Sequence, residues 1–301
     1  MPSASAGPAK VPGCSTAPTA MTDASKGFRL LAAPLAFLAL FFAAPLALVL
    51  AASLAARGQP LDWAFSLGAY QRMLDPLFAG VFLRSAALAA AATLTCLLLG
   101  FPLAYFIVRQ PPPRRRLLYF LVLIPLTANS LVLTYSWITI LRPQGFLDLA
   151  LQSLGWFGPG PFVLLYTPAA VFLGLTYWYL PFMVYPIYAS LEKVDFTLSA
   201  AAADLGATRR QTFLRIILPL STPGILAGSM LVFIQCLCAF VVPDMLGGSK
   251  TLMIGSLIQQ RFLTLPQDWP LGAAISITLL ALIGAAVFLT LRLDRSPASP
   301  R

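Results

Sequence analysis

The chain has 301 residues, of which 59% are hydrophobic and only 10% charged, with a mean hydropathy of +0.83. A soluble domain carries about 25% charged residues, so this composition excludes an ordinary soluble protein and points to an integral membrane one. There is no histidine and a single glutamate, Glu192, which nearly excludes acid–base catalysis and a histidine-ligated metal site, while 20 basic against 10 acidic residues give a net charge of +10.

Met1–Gly27 is rich in Pro, Ser, Ala and Thr without periodicity and reads as a disordered tail. It lacks the compact layout of a signal peptide, and the apolar run after it is too long for one. Met21, just before Lys26 and Arg29, is an alternative start. Spans of about 20 apolar residues cross a bilayer, and the first is expected at Leu30–Leu54, interrupted by Pro34 and Pro45. The polar stretch Ala55–Pro76 holds an amphipathic piece, Leu67–Leu74. A second span lies within Leu77–Val108, with Arg84 near its outer end, and a stiff basic turn, Arg109–Arg116, follows. The third span is expected at Leu117–Leu141 and the fourth at Leu164–Ser190, separated by the Gly/Pro-rich loop Arg142–Val163. A mostly polar connector, Leu191–Pro223, leads to the fifth span, Gly224–Val242. The loop Pro243–Trp269 carries an amphipathic piece, Leu252–Leu263, and the sixth span is Leu271–Leu291. The expected organisation is a tail (1–27), a membrane domain (28–292) containing the loop 191–219, and a second tail (293–301). Pro102, Pro125, Pro181, Pro186 and Pro223 interrupt spans, which is tolerated where neighbouring helices or water satisfy the freed carbonyls.

Lys and Arg resist translocation. With the N-terminus inside, 14 of the 20 cations lie on inner segments, and only Arg57, Arg72, Arg84, Arg142, Lys250 and Arg261 lie outside. Both termini and the connector are therefore expected in the cytoplasm.

Within the connector, Leu191, Val194, Leu198, Ala201 and Leu205 recur every three or four residues, one face of a helix. Asp195 is placed to cap it, and Gly206 to end it in a left-handed conformation. Thr208 with Gln211 reads as a capping box for a second helix, given an apolar face by Phe213, Ile216 and Ile217. Pro219 disfavours helix at Leu218, so a break is expected there. The flanking spans argue against a soluble DNA-binding helix-turn-helix; an amphipathic loop at the membrane interface is the plainer alternative.

At these residues the chain resembles the membrane permease subunits of binding-protein-dependent ABC importers. Ala201–Ala202, Gly206, Ile216 and Leu218–Pro219 follow that family's loop, E-A-A-x3-G-x9-I-x-L-P, with Ala200 standing where the motif has Glu. The resemblance implies an all-α membrane protein of about six transmembrane helices with the type I ABC importer permease fold, in a bacterial inner membrane. It implies that the loop docks on a cytoplasmic ATPase, through Asp195, Ala200, Ala201, Ala202, Asp204, Gly206, Ala207, Arg209, Ile216, Leu218 and Pro219. The partners implied are an ATPase dimer, a second permease subunit and an external solute-binding protein, with lipid around the chain and no nucleic acid. This chain itself would bind no cofactor and catalyse nothing, ATP being held by the partner.

Across roughly 65–290 the chain is similar to the spermidine/putrescine-type permeases. The stretches concerned include Leu67–Tyr70, Gly100–Tyr105, Tyr135–Trp137, Tyr179–Pro186, Pro243–Gly248 and Lys250–Gln260. It departs from them at Ala239, usually acidic, and at Leu133, usually Arg. A polyamine or another small organic solute is the implied cargo. An ion-gradient-driven secondary transporter, the reading from another class, predicts ionisable residues within the spans, and these are almost absent.

Tyr135, Trp137, Tyr177, Trp178, Tyr179, Tyr185 and Asp244 are the candidate pathway residues, with Tyr188 in the same aromatic crowd. Aromatic faces attract organic cations by about 0.5–2 kcal/mol each, although Tyr and Trp also gather at membrane interfaces without a ligand. Gly247–Thr251 imitates the tail of a P-loop, but Ser249 separates Gly248 from Lys250, so a Gly-rich outer turn is expected. Cys14, Cys96, Cys236 and Cys238 lack zinc spacing and read as small buried apolar groups.

Overall fold

The computed structural model describes residues 20–56, 65–153, 163–248 and 251–294. The described residues are helical apart from loops and one isolated bridge between Ala55 and Phe65. Among them, five helices are long and apolar enough to cross a membrane, or six if one sharply bent pair counts as a single span.

Helix α1, Ala20–Ser53, starts inside the segment expected to be a disordered tail. Extending an existing helix avoids the unfavourable nucleation step, so the apolar run carries residues 20–27 with it. The chain divides into two units, up to Val49 and from Leu50 on. Within the first unit, Leu35, Phe37, Leu38, Phe41, Phe42 and Leu48 are all exposed, as suits a helix surrounded by lipid.

The second unit is built on α3 (Pro76–Val108), α7 (Pro168–Leu191) and α10 (Leu218–Cys238). Their facing residues are small: Ala89, Ala92, Cys96 and Ala104 of α3 are fully buried. On α10, Gly224 and Gly228 form a G-x-x-x-G pair against α7; a Cβ at Gly224 would lie 2.6 Å from the Pro186 carbonyl. In a bilayer such small residues allow the close backbone approach that holds helices together. Cys96 and Cys236 are buried as expected, Cys238 is exposed, and Cys14 lies outside the described residues.

The expected third span is not one helix. It consists of α4 (Pro112–Thr127) and α5 (Ser130–Leu141), and the chain bends by 91° between Pro112–Thr127 and Ser130–Ala150. Pro125 lies in the last turn of α4, Ala128 is extended, and the Asn129 side chain accepts from the Leu131 amide at 2.8 Å, starting a new helix. A side-chain cap inside an apolar run supplies the hydrogen bonds that the break removes.

The two amphipathic pieces are short helices, α2 (Gly68–Met73) and α11 (Ile254–Leu263). Between α5 and α7 lies α6, Phe146–Ser153, and the last span is α12, Trp269–Asp294. Arg72 of α2 forms an ion pair with Asp268, which precedes α12. After α10 comes a π-helical turn, Pro243–Gly247, which Gly248 ends at a φ of +55°. The expected glycine-rich turn therefore includes a helical turn; Ser249 and Lys250 lie outside the described residues.

Candidate functional site

The connector differs from its expected form in two places. Leu191 ends α7 and Val194 sits in the following turn, both buried, whereas α8 comprises only Thr197–Asp204. The periodic residues thus serve two surfaces: Leu191 and Val194 pack on the bundle, but Leu198 and Leu205 point away, and Leu205 is 89% exposed. The chain breaks at Glu192–Phe196, so one periodic pattern spans two elements. Pro219 also causes no break. From Arg209 to Cys238 the helix is continuous, through α9 (Arg209–Thr212), a π-helical turn at Phe213–Ile217 and α10. The wider turn changes the bonding register just before Pro219, so the missing N–H needs no partner there.

The turn at Gly206 and the capping box are as the sequence indicates, whereas Phe196, not Asp195, occupies the cap position of α8 and Asp195 acts from one residue earlier. Asp195 accepts from the Thr197 amide at 2.9 Å. That amide, followed by the Thr197 hydroxyl, holds the exposed Asp195 carboxyl below its ordinary value of 3.8. Gly206 has a φ of +80°; its amide donates to the Ala203 carbonyl, and the Ala207 amide donates to the Ala202 carbonyl, each at 2.9 Å. This pair of bonds is a Schellman ending. Thr208 and Gln211 close a reciprocal capping box, at 2.8 and 3.3 Å. Ala200 and Ala201 lie on α8, and Ala201, Asp204, Gly206 and Arg209 are exposed. Ala202, Ala207, Ile216 and Leu218 are half-buried, and Pro219 is exposed. The result is a rigid helix–turn–helix offering apolar side chains to whatever lies beyond it.

Contacts that the sequence did not indicate fasten this device to the bundle. Phe213 meets the rings of Phe101 and Tyr105 edge-on, with centroids 5.7 and 6.1 Å away. The Arg109 guanidinium lies over Tyr105 at 4.8 Å and over Phe196 at 5.7 Å. Phe196 and Phe213 thus grip the end of α3 from both halves of the connector. On the neighbouring side, Arg115 of α4 pairs with Glu192. A lone glutamate expected on the same side of the membrane as the Arg114–Arg116 run was the available signal for that pair.

The pathway candidates do not gather in one place. Trp137 of α5 packs edge-on against Tyr177 of α7 at 5.4 Å, beside Leu133 and Trp178, leaving a cavity of only about 10 Å³. Tyr135 and Tyr177 are both exposed. Tyr179 is buried against Phe182, and Tyr185 belongs with Tyr119 and Tyr188 near the connector. Asp244 is exposed on the π-helical turn. Ala239, at the end of α10, is buried, with its carbonyl against Gly255. Among the described residues no cluster of carboxylates and thiols is placed to hold a metal ion.

Residues 96–297 match the family described as binding-protein-dependent transport system inner membrane component. The chain is 45% identical over 233 residues to the spermidine/putrescine transport system permease protein PotB of Escherichia coli K12, covering 77% of this chain and 83% of that one. It is 39% identical over 261 residues to the PotB of Haemophilus influenzae, covering 86% and 91%. In fold it is similar to a chain from a bacterial ABC transporter involved in the import of the acidic polysaccharide alginate. The TM-score is 0.75 at 17% identity, with 93% of this chain and 99% of that one covered. A chain of the inward-facing MetNI methionine ABC transporter matches with a TM-score of 0.56 at 16% identity, covering 75% and 100%. These matches and the helical bundle agree: the chain belongs to the binding-protein-dependent ABC importer permeases, of the spermidine/putrescine permease type, as a multi-pass inner-membrane component.

Proposed function

We propose that this chain forms half of the translocation pathway of an ATP-driven importer for polyamines, putrescine or spermidine. The observation that carries the substrate is the 45% identity to the PotB permeases across most of the chain. Solute arrives outside on a binding protein; a second permease subunit completes the passage; a cytoplasmic ATPase dimer docks on the connector, with both termini on the same side. Exposed Leu198 and Leu205, beside the fixed Schellman turn, support that docking. The chain has no histidine and little carboxylate, so ATP binding and hydrolysis are assigned to the partner and no catalytic residue to this chain.

A pathway wall rather than a closed pocket fits the aromatic set, since Tyr135 and Tyr177 are exposed and the space behind Tyr177 is almost filled. A small cation crossing low-dielectric protein requires such faces or carboxylates, and Asp244 supplies an exposed carboxylate. Ala239 and Leu133, uncharged where these permeases usually carry charge, favour a second reading in which another small organic solute is carried. Uptake of radiolabelled putrescine and spermidine by vesicles holding the full importer, with its binding protein, tests the assignment. Uptake that falls in Asp244→Asn is expected. No uptake of either, while another solute on the binding protein stimulates ATP hydrolysis, would overturn it.

A further inference from the structure

The bend between α4 and α5 leaves a segment whose two ends face different tasks. At its far end, α5 carries Tyr135 and Trp137, and Trp137 packs on Tyr177. At its near end, the first turns of α4 adjoin the root of the connector. There Arg115 pairs with Glu192, its Nε donates to the Tyr188 hydroxyl at 2.7 Å, and its guanidinium lies 5.2 Å over the Tyr188 ring. One turn on, Tyr119 packs against Tyr188 and Tyr185 at 4.7 and 5.1 Å. None of the residues of α4 is fully buried, so this cluster is a principal hold on an otherwise superficial helix. Glu192 immediately follows α7 and stands five residues before Thr197, where α8 begins.

We propose that Arg115 and Glu192, backed by Tyr188 and Tyr119, are positioning residues that transmit displacement of the connector to the bent α4–α5 segment and its aromatic wall. This rests on the reading of the connector as the ATPase-docking element. The pair is partly exposed, 26% for Arg115 and 51% for Glu192. Exposed ion pairs add little to stability, so the role of this one is geometric. A guanidinium held by a carboxylate, a hydroxyl and a ring face has its direction fixed. Displacement of Glu192 therefore moves the foot of α4, and the 91° bend turns that motion into a swing of α5.

The test uses the purified importer, with both permease subunits, the ATPase and the binding protein. Spin labels at Ser136→Cys on α5 and Leu226→Cys on α10, in a chain otherwise free of cysteine, report the α5 distance with and without ATP and vanadate. Trapping is expected to shift that distance. Glu192→Gln and Arg115→Gln are expected to reduce the shift by about half or more, and the exchange Arg115→Glu with Glu192→Arg to restore part of it. ATPase co-purification should be unchanged in all of them. A full shift in Glu192→Gln would overturn the assignment, as would an exchange no better than the single variants. Loss of ATPase from Glu192→Gln would also overturn it, by placing the pair in docking. Failure of the connector reading appears separately, as unimpaired ATPase capture by a connector whose Gly206 turn has been disrupted.

Discussion

Replacing Gly206 with valine isolates the backbone of the connector from its contacts. A Cβ at this position meets nothing within 4 Å, so no steric clash with a neighbour enters. The whole penalty comes from the φ of +80°. A left-handed conformation costs a residue bearing a Cβ about 1–2 kcal/mol, and a β-branched one is at the upper end. The Ala207–Ala202 and Gly206–Ala203 bonds depend on that conformation. Helix α8, with 8 residues, is too short to hold its ending without them. A penalty of this size lowers the population of the docking geometry about 5- to 30-fold. ATPase capture by solubilised Gly206→Val, titrated with ATPase subunit, should weaken by that factor while membrane insertion stays at the wild-type level. Gly206→Asn is the control, because asparagine visits the left-handed region readily, and should retain most of the binding. Wild-type capture by the valine variant would refute the argument. So would an asparagine variant as weak as valine, since the side chain and not the backbone would then matter.

A reporter fused after Arg301 should be active only as a cytoplasmic marker and one inserted at Gly248 only as an external marker; the reverse pattern at both sites would reject the orientation. Ala200→Glu, which restores the family's residue, should leave ATPase capture intact, as a pull-down would show. Asp195 has a depressed carboxyl pKa because it accepts from the Thr197 amide, so the contribution of that bond is present above the ordinary value of 3.8 and is lost as pH falls through the native value. Amide exchange at Thr197, corrected for its intrinsic pH dependence, should therefore accelerate in acid, and Asp195→Ala should show that acceleration at neutral pH. Gly224→Leu, whose Cβ would approach the Pro186 carbonyl to 2.6 Å, should destabilise the bundle by about 1–3 kcal/mol. Gly80→Leu, with nothing within 4 Å, should not lower the melting temperature in detergent.

The spans and the turn at Gly206 were legible because each depends on a local rule: length of apolar run, a residue free to take positive φ, and a Thr–Gln pair at capping distance. The bend in the third span was not, although its parts were visible. Asn129 within an apolar, membrane-spanning run carries a polar cost unless it caps something; it caps α5, and Pro125 four residues earlier marks the end of α4. Hydropathy averages over both. The periodicity of Leu191–Leu205 misled for a related reason: it records which residues are apolar, not which surface each one meets. Buried Val194 and exposed Leu205 look alike until the turn at Glu192–Phe196 separates them. The pathway set was scattered because tyrosine and tryptophan serve several ends. Tyr188 holds a guanidinium, Tyr179 fills the core, and Tyr177 forms part of an open face.

The unbroken run from Arg209 to Cys238 changes what the connector can do. A hinge at Pro219 would have let the second half of the connector move without disturbing the fifth span. Instead α9, the π-helical turn and α10 form a rod of 30 residues, about 45 Å at 1.5 Å per residue. Its foot is capped by Thr208 close to the exposed Leu205, and its middle is locked to α7 where Gly224 and Gly228 meet Pro186 and Met183. A push at the foot is therefore delivered to the close contact between α10 and α7. Phe213, packed on Phe101 and Tyr105, prevents the rod from tilting without carrying α3 along. The π-helical turn sits between foot and lock, at Phe213–Ile217. Such turns lack the even bonding of an α-helix, so the rod's compliance is confined to the level at which Phe213 attaches it to α3.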